Sequence, residues 1–295
     1  MRSTDSSEDT QSRQASVSEE RIYTPSAQTG WGFKTWREMF IELIGSRELI
    51  WRLFMRDFSA RYKQSVLGIL WVLILPLIAV ATFVLLNLSG LLKVGDTGIP
   101  YPVYALLGLT IWQFFAGGLT ACCNSIVAGG SMVVKINFPK EILVVAAMGE
   151  VIFELLVRLG LLAVVIIIFK VVPMWTVVFF PFTLLPLLML TVGLGFFLSL
   201  MNGLLRDVAN IVALATTFLM FFTPVVYPAP KTGLLAKLMT INPLAWLVTA
   251  SRDMFFTGYM TAPAEFMWGS ALAAILFLFA WRVFHLVEPR LAERV

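Results

Sequence analysis

Groups that could carry chemistry are scarce in this chain. It has a single histidine, His285, and two cysteines, Cys122 and Cys123. One histidine leaves little general acid–base capacity near neutral pH. The cysteines are adjacent and lie inside an apolar run. Neighbouring cysteines rarely bridge each other, and a metal site needs more ligands than they provide. They read as small apolar packing residues. His285 has no ligand partner near it in sequence and reads as solvated or headgroup-facing. No metal site and no catalytic residue is therefore expected. The sequence G-x-x-x-x-G-K-S/T is absent, which excludes ATP binding through a P-loop. There is no H-E-x-x-H, no G-x-S-x-G and no pair of loop aspartates. Gly193-x-Gly195 lies in an apolar run and is a packing feature. Charge is thin as well: 14% of residues are charged, against about a quarter in soluble domains.

Hydrophobic residues make up the difference. They are 59% of the chain, and the mean hydropathy is +0.85. This is the composition of a polytopic membrane protein. Its net charge of +4 is then read by location, and it does not point to nucleic acid. The apolar runs predict six spans, at residues 66–92, 103–127, 142–169, 176–200, 208–226 and 264–284. Pro76 falls within the first, and Trp268 and Trp281 flank the last as interface anchors. Residues 227–263 are apolar but repeatedly interrupted, by Pro228, Pro230, Lys231, Lys237, Pro243, Arg252, Asp253 and Pro263. Asn242-Pro243 has the form of a helix start. Residues 238–251 are too few to span, so this stretch reads as two short helices that enter the membrane from one side and return.

The first thirty residues are rich in Ser, Gln, Thr and Glu and lack an apolar core. They read as a disordered cytoplasmic tail, not a signal peptide. From 31 to 65 an apolar stripe appears: Trp36, Phe40, Leu43 and Ile44, then Leu49, Ile50, Leu53, Phe54 and Phe58. Opposite it stand Arg37, Glu38, Glu42, Arg47, Glu48, Arg52, Arg56 and Asp57. This is an amphipathic helix lying along the membrane, or packed on a partner protein. The domain layout is then a tail at 1–30, the amphipathic segment at 31–65, a six-helix domain at 66–286 and a cytoplasmic end at 287–295. With both termini inside, sixteen Lys and Arg fall inside and five outside, as the positive-inside rule asks. The fold class is all-α integral membrane.

Three charges interrupt the third span. Glu150, Glu154 and Arg158 are spaced i, i+4, i+8 and share one helical face. Intramembrane charges are functional candidates. They form either a self-neutralising ladder or a proton relay, though no histidine or further acid in a span continues a relay. At the mouth of the first span stand Arg61, Tyr62, Lys63 and Ser65. The two cations suit a lipid diphosphate, or simple anchoring to anionic lipid. On a regular helix they point about 200° apart. That requires either a break near Ser65 or divided roles, with Arg61 the better phosphate ligand because of its planar fork. Most of the abundant aromatics are packing or belt residues. Tyr101, Tyr104, Trp112, Phe115, Phe218, Phe222 and Tyr227 are candidates to line a sugar path, since sugars stack on aromatic faces.

Arg61-Tyr62-Lys63-x-Ser65-x-Leu67-Gly68-x-x-Trp71 resembles the gate-helix motif of ABC-2 exporter permeases that move O antigen, capsule, teichoic acid or galactan. Asn137-Phe138-Pro139-Lys140-Glu141-Ile142-Leu143, Arg206-Asp207-Val208, Thr223-Pro224-Val225-Val226-Tyr227-Pro228 and Ile241-Asn242-Pro243-Leu244 are similar to further stretches of the same family. The tail before Trp31 is longer than the family's usual one, and the third span carries more charge. The resemblance implies a homodimer in the bacterial inner membrane, bound to two copies of an ATPase subunit that holds ATP and Mg. This chain would bind no cofactor. The substrate would be a polysaccharide on undecaprenyl diphosphate. Motor contacts would fall at Arg37, Arg47, Lys135, Phe138, Pro139, Lys140, Arg206 and Asp207. Two rivals stand beside this reading. A membrane glycosyltransferase or acyltransferase would need loop acids or a histidine that the loops lack. A small-molecule exporter of the same fold fits the Arg61–Trp71 motif less well.

Overall fold

The computed structural model describes residues 32–63, 65–91, 94–130, 132–133, 138–230 and 232–291, without the side chains of 289–291. The tail at 1–30, Lys135 and Asn137 lie outside these residues. Among the described residues there is no strand. The helices are α1 (Phe33–Gly45), α2 (Arg47–Lys63), α3 (Trp71–Leu88), α4 (Tyr101–Gly129), α5 (Glu141–Ile168), α6 (Phe180–Leu204), α7 (Val208–Phe221), α8 (Leu234–Ile241), α9 (Pro243–Phe256) and α10 (Pro263–Leu291). Short 3₁₀ turns at Gly68–Leu70 and Trp175–Phe179 lead into α3 and α6.

Five helical stretches are long and apolar enough to cross a membrane: Gly68–Leu88, Tyr101–Gly129, Glu141–Ile168, Trp175–Leu204 and Pro263–Glu288. The bent pair α8 and α9, at 86° to each other, makes a sixth if it counts as one span. The chain is therefore an all-helical, multi-pass membrane protein. The stretch expected as the fifth span is shorter than its apolar run. The α7 helix stops at Phe221, because Thr223 precedes Pro224 and a pre-proline residue is pushed out of the helical region. Asn242 does cap α9: its Oδ1 accepts the Leu244 N–H at 3.0 Å, with Pro243 in the first turn.

α4 is the axis of the bundle and the most buried span, packed on α5, α6, α3 and α7. Small residues set those approaches. A Cβ on Gly195 would lie 2.5 Å from Cys122 Cβ, and one on Gly193 would lie 2.8 Å from the Phe277 backbone. The paired glycines thus seat α6 against α4 on one side and α10 on the other. Cys122 and Cys123 are buried, unbridged and part of that packing.

The amphipathic segment is two helices with a break at Ser46, whose hydroxyl donates to the Glu42 carbonyl. Much of its apolar stripe is covered by α5 of the same chain. Phe54 seats against Gly149, and the Phe58 and Phe153 rings are 4.8 Å apart. Successive turns of α2 meet successive turns of α5, so α2 runs alongside α5. At the other end of the chain, α10 continues to Leu291 through the stretch expected as a tail. Trp281 is buried with its ring edge-on to Trp36 at 5.8 Å. It packs α1 onto α10 and is no interface anchor, whereas Trp268 is exposed.

Gly108 gives the sharpest packing test. A Cβ there would collide with the Val225 carbonyl and sit 2.5 Å from Arg252 Nη2. Gly108→Ala should lower unfolding stability in detergent by about 1–3 kcal/mol, as overpacking does. Gly117, on the same helix, has nothing within 4 Å of such an atom. Gly117→Ala should be neutral or stabilise by up to about 1 kcal/mol. Equal thermal midpoints for the two variants would refute this packing.

Candidate functional site

The site begins where α2 ends. The helix stops at Lys63 and the chain restarts at Gly68, whose φ of +48° is a left-handed conformation that suits glycine. The Ser65 hydroxyl accepts the Gly68 N–H at 3.1 Å and fixes the turn. This joint places Arg61 beside the charged face of α5. Its Nη2 lies 2.9 Å from Glu150 Oε2, and its Nη1 lies 3.0 Å from Glu154 Oε1. Tyr62 donates its hydroxyl to Glu154 Oε1 at 3.4 Å. Arg158 Nη2 bonds Glu154 Oε2 at 2.9 Å. Two guanidinium groups and two carboxylates thus form one network, and both oxygens of Glu154 are bonded. The Glu150 side chain is 7% exposed and that of Arg61 50%. Arg61 therefore spans from a wet edge into a buried one. Burial pushes the Tyr62 hydroxyl above its ordinary pKa, with the nearby Glu154 charge adding to it. Tyr62 thus stays protonated and able to donate. Lys63 is exposed and makes no ion pair among the described residues. The two cations have different surroundings.

Two cavities meet at this network. One, of about 290 Å³, lies between α3, α4 and α5 and is lined by Arg61, Trp71, Pro76, Gln113 and Arg158. The other, of about 600 Å³, is lined by Arg61, Glu150 and Glu154, by α4, and by Ala213 and Thr216 of α7. Arg61, Gln113 and Glu154 line both. Along α4 the larger cleft is faced by Gln113, Gly117, Thr120 and Asn124. Their i, i+4, i+7, i+11 spacing is one helical stripe. Asn124 is held by its own bond to the Thr120 carbonyl at 3.0 Å and by Asn202 at 3.2 Å. This polar stripe in a membrane helix was visible in the sequence as Gln, Thr and Asn at helical spacing. An aromatic criterion alone does not pick it out.

The aromatic candidates separate. Trp112 and Phe115 are buried in the core with rings 5.6 Å apart. Phe218 and Phe222 are exposed. Tyr227 donates to the Phe221 carbonyl, and Tyr101 is half-buried at the start of α4. Tyr104 belongs to a second charged centre. Arg252 is buried and donates to Tyr104 Oη at 2.6 Å and to the carbonyls of Pro224 and Val225 at 2.8 and 2.6 Å. Asn242 Nδ2 adds a bond to the Phe222 carbonyl at 2.9 Å. These bonds stitch residues 222–225, which follow α7, to α4 and α9.

The expected motor contacts also divide. Arg37, Arg47, Arg206 and Asp207 are exposed. Phe138, Pro139 and Lys140 are buried: Phe138 packs with Leu53, Ile142 and Leu143, and the Lys140 ammonium lies 4.1 Å over the Phe138 ring. His285 is not solvated. It is buried, with Nδ1 2.8 Å from Glu141 Oε1. Glu42 of α1 lies close enough to feel both, and burial pushes its carboxyl above the ordinary carboxylate range.

The structure is a bundle of apolar spans around a polar cleft. The chain belongs to the ABC-2 type transporter family, which it matches over residues 48–256. Membership implies an ABC transporter in which an ATPase works with this membrane chain. Among similar proteins, an O-antigen export system permease protein RfbA of Myxococcus xanthus is 28% identical over 256 residues, covering 85% of this chain and 96% of the relative. Two proteins of the same name from Klebsiella pneumoniae are 25% and 26% identical over 69% and 70% of this chain, and 78% and 79% of their own lengths.

The network predicts a specific stability pattern. Glu154→Leu removes the carboxylate shared by Arg61 and Arg158 and should cost up to about 3–5 kcal/mol in detergent unfolding. Replacing Glu154 and Arg158 together by leucine should be much milder. Glu48→Gln, which breaks an exposed pair with Arg52, should cost at most about 1 kcal/mol. A double replacement as costly as the single one would refute mutual neutralisation.

Proposed function

We propose that this chain is the permease of an exporter for an O-antigen-like polysaccharide carried on undecaprenyl diphosphate. It works as a homodimer in the bacterial inner membrane with both termini cytoplasmic. Two ATPase subunits on separate chains bind ATP and Mg, and this chain binds neither. Transport runs from the cytoplasmic face outward. The observation that carries this reading is the cleft of about 600 Å³ with Arg61 on its wall and a polar stripe along α4. The names of the similar proteins favour a glycan over a small molecule.

The mechanism follows from competition for one guanidinium. Arg61 binds Glu150 and Glu154 through both of its terminal nitrogens. The same planar fork suits phosphate oxygens. A carrier diphosphate arriving at the exposed side of Arg61 brings more negative charge than either carboxylate. When Arg61 turns to it, α2 loses its ionic hold on α5, while Arg158 keeps Glu154 neutralised. The joint at Ser65 and Gly68 lets α2 swing without unwinding α3. Gln113, Thr120 and Asn124 then offer hydrogen-bonding groups to the sugars behind the lipid head. The exposed Arg37, Arg47, Arg206 and Asp207 are available to the motor, whose stroke would move α1 and α2 in the same sense. Lys63, free of the network, serves anionic lipid.

Glycan export and substrate-stimulated ATPase activity, at matched expression with the partner ATPase, test the reading. Arg61→Ala should reduce both by roughly tenfold or more, the value of losing a charge-assisted pair of hydrogen bonds. Arg61→Lys should also be poorly tolerated, because it keeps the charge but loses the fork. Lys63→Arg should be mild. Full activity of Arg61→Ala would remove the diphosphate role and leave lipid anchoring.

A further inference from the structure

A second cluster of ligating groups lies apart from the cleft. Glu141 opens α5, and His285 and Glu288 stand three residues apart near the end of α10, on one helical face. They are 1%, 8% and 4% exposed. One ligand atom from each lies within 4.8 Å of the others. His285 Nδ1 is 2.8 Å from Glu141 Oε1, and Glu288 Oε1 accepts the Lys140 backbone N–H at 2.9 Å. The other two carboxylate oxygens, Glu141 Oε2 and Glu288 Oε2, are buried without a hydrogen-bond partner. A buried acceptor left without a partner costs free energy, and a charged one costs more. Capping the start of α5 explains one oxygen of Glu288. It leaves the two Oε2 atoms, beside the converging imidazole, unexplained.

We propose that Glu141, His285 and Glu288 form a divalent-metal site of the zinc class, which ties the start of α5 to the end of α10. One imidazole with two carboxylates is a donor set that suits Zn²⁺, whereas Mg²⁺ and Ca²⁺ favour all-oxygen shells. The ligands come from two helices far apart in sequence, so a bound ion closes a long loop of chain. The site adjoins the buried Phe138–Lys140 segment, and it borders Glu42 of α1. It would brace the end of the bundle from which α1 and α2 extend, independently of what passes through the cleft.

The chain's single histidine makes the test specific. The full-length protein, purified without a histidine tag and stripped with a chelator, is titrated with Zn²⁺ and, in parallel, with Mg²⁺. One zinc per chain should bind and raise the thermal midpoint, with no comparable shift from Mg²⁺. X-ray absorption of the zinc-loaded wild type should show one imidazole nitrogen and carboxylate oxygens at about 2.0–2.2 Å. Any imidazole in that shell must be His285. His285→Gln and Glu288→Gln should each weaken zinc binding by more than the roughly 10–100-fold that outer-shell changes cost. No zinc binding by wild type, a shell without imidazole, a Mg²⁺ response as strong as that of Zn²⁺, or undiminished binding by His285→Gln would overturn the proposal. The wild-type spectrum needs no variant, so misfolding of a variant does not weaken the test.

Discussion

Carboxylates packed between apolar helices must be neutralised largely where they stand, because little water reaches them to do it. Glu150 and Glu154 set that requirement within α5, and Arg61 meets it from another helix. The rest of the local architecture depends on this contact. It fixes the register of α2 on α5, with Phe54 over Gly149 and Phe58 against Phe153. It places the Ser65–Gly68 joint at the foot of α3. It also puts a guanidinium on the boundary between two cavities whose other charged lining is Asp57, Glu150, Glu154 and Arg158. Arg158 makes the contact releasable: with Arg158 on Glu154 Oε2, losing Arg61 does not strand both carboxylates.

The same physics operates around α9 with a different outcome. Arg252 is buried without a bonded carboxylate, and its two terminal nitrogens bond two backbone carbonyls and a tyrosine hydroxyl. Those carbonyls belong to Pro224 and Val225, in the non-helical stretch after α7. Irregular backbone is tolerated within a membrane domain only when protein satisfies its polar groups, and Arg252 and Asn242 supply that here. Close approach at Gly108 is what lets the arrangement fit. One arginine thus holds the end of α2 by ion pairs, and the other holds an irregular turn by neutral acceptors. The first suits an element that a charged substrate displaces, the second an element that stays shut until the helices themselves move.

The spans were legible because twenty or more apolar residues in a row have few other solutions, and the boundaries of α4, α5 and α6 fall within a few residues of the hydropathy limits. Asn242-Pro243 was legible as a helix start for the same local reason. The fifth apolar run misled, since apolarity does not report that Pro224 ends the helix. Glu154 and Arg158 could be paired from their i, i+4 spacing, but Arg61 lies 93 residues from Glu154. No local rule joins them. His285 was misread in the same way, since its partner Glu141 is 144 residues distant. Phe138 and Lys140 look like surface loop residues in sequence; Phe138 is covered because Leu53 of α2 packs with it, and Lys140 lies against Glu288 of α10. The polar stripe of α4 could have been found from periodicity alone, by asking which face of a span carries Gln, Thr and Asn.

The central claim is that α2 must part from α5 for substrate to pass, with Arg61 exchanging carboxylates for diphosphate. A reversible lock between the two helices tests it directly. Phe58→Cys and Phe153→Cys replace two rings whose centroids are 4.8 Å apart and put thiols on facing turns of α2 and α5, within reach of a short bifunctional thiol crosslinker that a reductant cleaves. In the assembled transporter, crosslinking should stop glycan export and uncouple it from ATP hydrolysis, and a reductant should restore it. Undiminished export with the crosslink formed in nearly every molecule would contradict the account.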